Sequence, residues 1–444
     1  MRNGTVWTRR MALLGAAGLV AGCDTLDDIF GERKKPLLGE RRAVLQPRRN
    51  LEADTALAAE PMQLPPAETR ADWPVPGGNI GHDPGHLALP GSLREAWRAS
   101  VGDGSGYRRR ITAGPVVAEG TVYAADAFGV VSAYDLGGGG RRWRFDTRPK
   151  KDDVGAVGGG CAYDSGTLYV ASGMAELLAL DPATGQPRWR IRLPAPARGA
   201  PAVANGRIFI PTLNNYLTAY STEDGKELWN YRAQNVPALP LGLPTPAVSE
   251  DFVVAGFASG ELVALRPEDG RVHWTESLAA GRGGLGDISG IRGLPVIDRG
   301  RVYASGMGGL SMALDLRSGR RLWEREIGGT ETPLVVGDWV FIIGGTGNLI
   351  AIGREDGRIR WLTELNAAPG DKKEDPAIFG PPLLAGERIL LPSSKGEMLQ
   401  IDPSSGAVAG RLRLPAGSTL PWLVASGTLV ALCDNASLVA YRGA

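Results

Sequence analysis

Apolar residues along this chain come in short runs that alternate with turn residues, and no segment keeps an apolar pattern at helical period. Residues 242–278 show the unit: a Pro-bounded apolar start, "DFVVAGF", a turn at Ser259 and Gly260, "ELVAL", a turn at "PEDG", and "RVHWTESL". Four runs rich in β-branched and aromatic residues at hairpin spacing predict a four-stranded antiparallel meander. The same layout fits 112–147, 154–193, 197–233, 287–328, 329–365 and 377–415.

The last run of each unit carries a tryptophan with a glycine four residues before it: "GGRRW" ends at Trp143, "TGQPRW" at Trp189, "DGKELW" at Trp229, "DGRVHW" at Trp274, "SGRRLW" at Trp323 and "DGRIRW" at Trp361. The intervals of 46, 40, 45, 49 and 38 residues lie in the range of propellers and solenoids. A lone four-stranded sheet leaves two apolar faces and two edges, and a closed ring protects both. On the outermost strand, Trp is expected to fill the gap between neighbouring wedge-shaped sheets, with its indole nitrogen on a backbone acceptor. The glycine is expected to supply a turn with positive φ.

The tail, 417–443, supplies three strands and stops, whereas "SLREAWRASV" (92–101) has an outer-strand pattern with no strands before it. Trp97 lies 46 residues before Trp143, in phase with the series. The N-terminal strand is therefore expected to complete the last blade. Trp97, the six other tryptophans and a degenerate slot at Gly410 count eight blades, so the fold class is all-β, an eight-bladed propeller over 92–444. Eight units of roughly 44 residues use about 350 positions.

The start of the chain differs in kind. "TRRMALLGAAGLVAGC" has a basic start and an apolar core too short for a membrane span, which reads as a secretory signal, 1–22. Residues 23–91, rich in Pro, Arg, Glu and Ala, read as a flexible tether. The basic residues from Arg33 to Arg49 fit a solvated linker or a contact with anionic lipid. "WPVPGGN" from Trp73 is expected to pack on the propeller.

Chemistry is sparse. His82, His86 and His273 form no ligand cluster, so no metal site is expected. Cys161 and Cys433 fall in the second and eighth blades with a blade between them, which argues against a disulfide. No Gly-x-Ser-x-Gly elbow is present, and no helix follows "GAVGGG" or "GGTGN" to cradle phosphate. A formal net charge of +1, read as a chain without a basic face, gives no support for nucleic-acid binding.

"ALDPATGQPRW" (179–189) and "ALDLRSGRRLW" (313–323) resemble the repeat named after pyrroloquinoline quinone enzymes. Quinoprotein dehydrogenases of that kind hold the quinone and a calcium ion on the propeller axis, commonly with a vicinal disulfide; this chain has no adjacent cysteines and no Cys-x-x-Cys-His motif. A periplasmic quinoprotein dehydrogenase is the alternative reading. The ending Leu19-Val-Ala-Gly-Cys23 looks like the lipobox of bacterial lipoproteins, which implies lipidation of Cys23. Lipobox, tether and eight short blades together resemble the BamB family, lipoproteins of the outer-membrane β-barrel assembly machinery. "PLLGERRAVL" (36–45) and "WPVPGGN" are similar to its alphaproteobacterial members.

That resemblance implies a non-enzymatic, cofactor-free scaffold, lipid-anchored to the periplasmic face of the outer membrane. Its implied partners are BamA, other Bam subunits and unfolded outer-membrane clients. The family's BamA contact uses a Leu-x-Leu-Arg loop and an Asp-x-Asp loop on neighbouring blades. "NVPALPLGLP" places Leu239 and Leu241 on the leucines and Gly242 on the Arg, and "GLGDISG" places Asp287 on the first acid and Ser289 on the second. The competing reading is that the leucines tuck onto their own blade.

Overall fold

The computed structural model describes residues 51–444 except 107–108, 149–157, 237–241, 280–289 and 367–374. Eight four-stranded antiparallel sheets follow one another: blade 1 (116–146), blade 2 (159–192), blade 3 (202–232), blade 4 (247–277), blade 5 (296–325), blade 6 (334–364) and blade 7 (383–413). Blade 8 takes three strands from 423–443, and its fourth, outermost strand is β1 (Leu93–Ser100), paired from Leu93↔Gly443 to Ser100↔Ser437. The expected clasp is present. Each pair of neighbouring blades shares an apolar core, so burial runs around the whole ring.

The repeated Trp does what its spacing implies, across the blade boundary. Trp97, Trp143, Trp189, Trp229, Trp274, Trp323 and Trp361 each donate the indole N–H to a carbonyl of the next blade, at 2.8–3.3 Å. The glycine that precedes the next blade's own Trp has φ near +70° and forms the floor under this ring. A Cβ on Gly270, for example, would lie 2.6 Å from Trp229. The motif therefore reads forward: Gly holds the previous Trp, and Trp reaches the following blade. Opposite each Trp in the sheet stands an alanine, such as Ala219 beside Trp229 and Ala440 beside Trp97, which leaves room for the indole.

Gly410 now has a physical account. A Trp there would dock on the turn before the fourth strand of blade 8, but that strand comes from the other end of the chain and no such turn exists. The sizes are exchanged instead, with Gln400 opposite Gly410. Arg388 bonds Gln400 Oε1 and the carbonyls of Pro90 and Gly91, bridging the seam with polar contacts.

The tether expectation fails for residues 51–91, which are packed onto the propeller. Helix α1 (Thr55–Ala59), N-capped by Asp54, lies on the outer strand of blade 6. There Ile359 O accepts from Asp54 N at 2.8 Å, and the buried Arg360 donates to the carbonyls of Leu57 and Glu60. The chain then makes a lap around the inside of the ring. Arg70 O accepts from Ser426 N in blade 8, Trp73 exchanges two hydrogen bonds with Val117 in blade 1, and Pro74 O accepts from Tyr163 N in blade 2. Ile80 and Gly81 receive Val248 N and Ile297 N in blades 4 and 5, and Leu87 pairs with Leu384 and Gly386 in blade 7. Innermost strands carry free backbone donors and acceptors on their axial edge, and this inner hoop satisfies some of those on blades 1, 2, 4, 5 and 7.

Candidate functional site

The hoop converts the axial channel into a socket. Trp73, Pro76 and Gly77 form the floor of a cavity of about 410 Å³, and its wall comes from the Gly/Pro segments that lead into the innermost strands. Gly199 lies so close to the Leu243 carbonyl of the next blade that no Cβ fits. Apolar wall residues are Ile111, Leu243, Leu294 and Leu420, with Ile378 exposed.

One ion pair and a further buried acid stand among them. Arg292 Nη1 lies 3.3 Å from Glu331 Oε1, which also accepts from the Thr330 hydroxyl at 3.0 Å. Burial pushes the Glu331 carboxyl up, opposed by Arg292 and Thr330. Asp434 is likewise pushed up by burial, opposed by Arg110. Sequence reading found neither the cavity nor these charged groups, because they come from segments separated in the chain and no spacing rule connects them.

Leu239, Leu241 and Asp287 lie outside the described residues, as does Cys23. The described ends of their loops do meet at one place: Gly242 and Arg292 both line the cavity, and a Cβ on Gly242 would lie 3.9 Å from Arg292 Nε. The histidines serve the fold. His82, pushed down to about 4 by burial, contacts Pro295 O through Nδ1 at 2.8 Å. His86 bridges Pro65 O and Glu387 N, and His273 contacts Arg317 O. Cys161 and Cys433 are buried free thiols, pushed up to about 12 and about 11 by desolvation.

A quinone with its calcium ion would require a set of oxygen ligands on the axis. The cavity's acids are Glu331 and Asp434, and no group of three or more His, Cys, Asp or Glu able to hold a metal occurs among the described residues. This donor set does not fit that group.

Fold and site together define a closed eight-bladed propeller of the pyrroloquinoline-quinone-like repeat, with a blind axial socket. A family model described as outer membrane protein assembly factor BamB matches residues 127–363. The chain belongs to the BamB family. BamB of Yersinia pestis is 30% identical over 61% of this chain and 70% of its own, and that of Xanthomonas campestris pv. campestris 28% identical over 78% and 85%. These relatives are named as assembly factors, not enzymes.

Among solved structures, BamB from Moraxella catarrhalis superposes with a TM-score of 0.68 at 20% identity, covering 79% of this chain and all of that one. A europium-containing methanol dehydrogenase reaches 0.66 at 13% identity over 87% and 99%; at such identities the likeness shows the fold alone.

Proposed function

We propose that this protein is a scaffold subunit of the β-barrel assembly machinery at the periplasmic face of the outer membrane, tethered by a lipid on Cys23. It binds BamA through the loops carrying Leu239, Leu241 and Asp287, and it assists folding and insertion of barrel clients. Membership of the BamB family carries this reading.

Two leucines on a Pro-bounded loop supply apolar surface that a partner buries for about 1.5–3 kcal/mol each. Gly242 stands where the family pattern has Arg, and Arg292 sets a guanidinium beside it, which supports a cationic element at the same mouth. In Leu239→Ala with Leu241→Ala, folding is expected to be unchanged and BamA co-purification to fall at least tenfold, about 1.4 kcal/mol. Full co-purification by the folded double variant would move the interface elsewhere.

A further inference from the structure

The near-zero net charge conceals a segregation that corrects the reading of a chain without a basic face. The outer strands of blades 7, 8, 1 and 2, which are neighbours in the ring, carry ten arginines and two acids. Those of blades 3 to 6 carry four of each. Some arginines on the basic side are balanced by acids from inner strands and turns, as Arg142 is by Asp135 and Arg188 by Asp181. Arg94, Arg141, Arg144, Arg192 and Arg413 are exposed and make no ion pair within 4.0 Å among the described residues, Arg144 acting on Asp146 only at longer range. On the other side, Arg321 is paired with both Glu276 and Glu324, and Arg360 is buried under the leader.

We propose that this flank, centred on Arg141 and Arg144 of blade 1, docks edge-on against an anionic lipid leaflet. The occupant follows from the form of the charge. The arginines lie on the outermost strands of neighbouring blades, spread along the rim of the ring rather than gathered around one point. Such a spread of cations suits a surface whose negative headgroups can move laterally to meet it. Docking by this edge lays the propeller axis parallel to the membrane plane, so that the axial socket opens sideways along the membrane. The inference rests on the membrane location of the proposed function and not on the BamA contact.

The test uses the mature-length chain carrying Cys23→Ser, so that no lipid contributes, in co-sedimentation with vesicles of phosphatidylcholine containing or lacking phosphatidylglycerol. Binding only to the anionic vesicles, weakened by salt, is expected. Arg141→Glu, Arg144→Glu and Arg192→Glu together should lower it at least tenfold, and the three Lys replacements should retain it. Arg271→Glu, Arg317→Glu and Arg320→Glu, an equal charge change on the rim of blades 4 and 5, should leave it within twofold. Equal losses from both Glu sets, unchanged binding in the flank set, or no binding by the parent chain would each overturn the proposal. BamA co-purification by the flank variant separates this failure from failure of the scaffold reading.

Discussion

Blades and inner hoop both pack into the ring, yet they are specified in opposite ways. A blade boundary is written seven times: the carbonyl acceptor in the next blade lies 31 to 42 residues after its Trp, and the glycine beneath the ring follows the acceptor by three residues. The hoop is written once. Leu87 meets Leu384, His82 meets Pro295 and Arg70 meets Ser426, each pair far apart in the chain and each different in kind. Redundancy makes a contact readable and lets the ring tolerate one exception, Gly410; a single-copy contact has no second instance to reveal it.

The largest effect is expected from cutting between these regions. A chain beginning at residue 92 loses the hoop and keeps the clasp, and one beginning at 101 loses both. The longer chain should unfold cooperatively at a lower temperature, because the axial donors of Val117, Tyr163, Val248 and Ile297 lose their partners. The shorter should show no cooperative transition in calorimetry, since removing β1 opens blade 8 and bares an edge. Equal melting curves for the two would mean that the clasp contributes nothing.

Legibility in the sequence follows the same division. Blade count, strand order and the clasp were readable from the Trp register, because Trp97 kept phase without strands of its own. Trp73 was readable as a packed residue, but the rest of 51–91 looked like a tether: its Pro and Gly content resembles disorder when the donors it satisfies lie on six other segments. The arginine segregation was present in "RRWRFD" and "PRWRIR" against "ELWNYR" and "VHWTES", yet it only becomes a flank once blades 7, 8, 1 and 2 are known to adjoin. The loop residues Leu239, Leu241 and Asp287 rest on a family pattern alone.

Within the ring, Trp229→Ala and Trp323→Ala should each cost about 3–5 kcal/mol and agree within about 1 kcal/mol, as equivalent buried indoles would. Gly410→Trp, which restores the repeat's consensus, should instead destabilise by about 1–3 kcal/mol. Gln400 stands opposite Gly410 where the other blades set an alanine opposite Trp, and no glycine floor awaits the ring on blade 8. Denaturant titration of the three variants reads both values. A stabilised Gly410→Trp protein would show that the seam between blades 7 and 8 accepts the common motif after all.

The smallest expected effect tests one contact of the hoop through pH. Asp83 faces Asp298 of blade 5, and burial, then the charge and hydrogen bond of Asp298, push its carboxyl up to about 6. Arg354, ion-paired with Asp298, and Arg299, at 3.9 Å from it, face the same carboxylate, with Arg70 also acting on Asp83. A folded pKa above the unfolded one means that the native state binds the extra proton between about pH 4 and 6. This group therefore favours the fold at the acid end and loses that contribution as pH rises through 6. Neighbouring His82, pushed down to about 4 by burial, acts oppositely, costing stability as pH falls below its unfolded value. Asp83→Asn removes the first linkage and keeps the second. Relative to the parent chain, the variant should gain stability between pH 4.5 and 7.5, by about 3 kcal/mol at most for a shift of roughly two pH units. Melting temperatures of both proteins across that range decide it: a difference independent of pH would show that Asp83 does not hold its proton in the folded hoop.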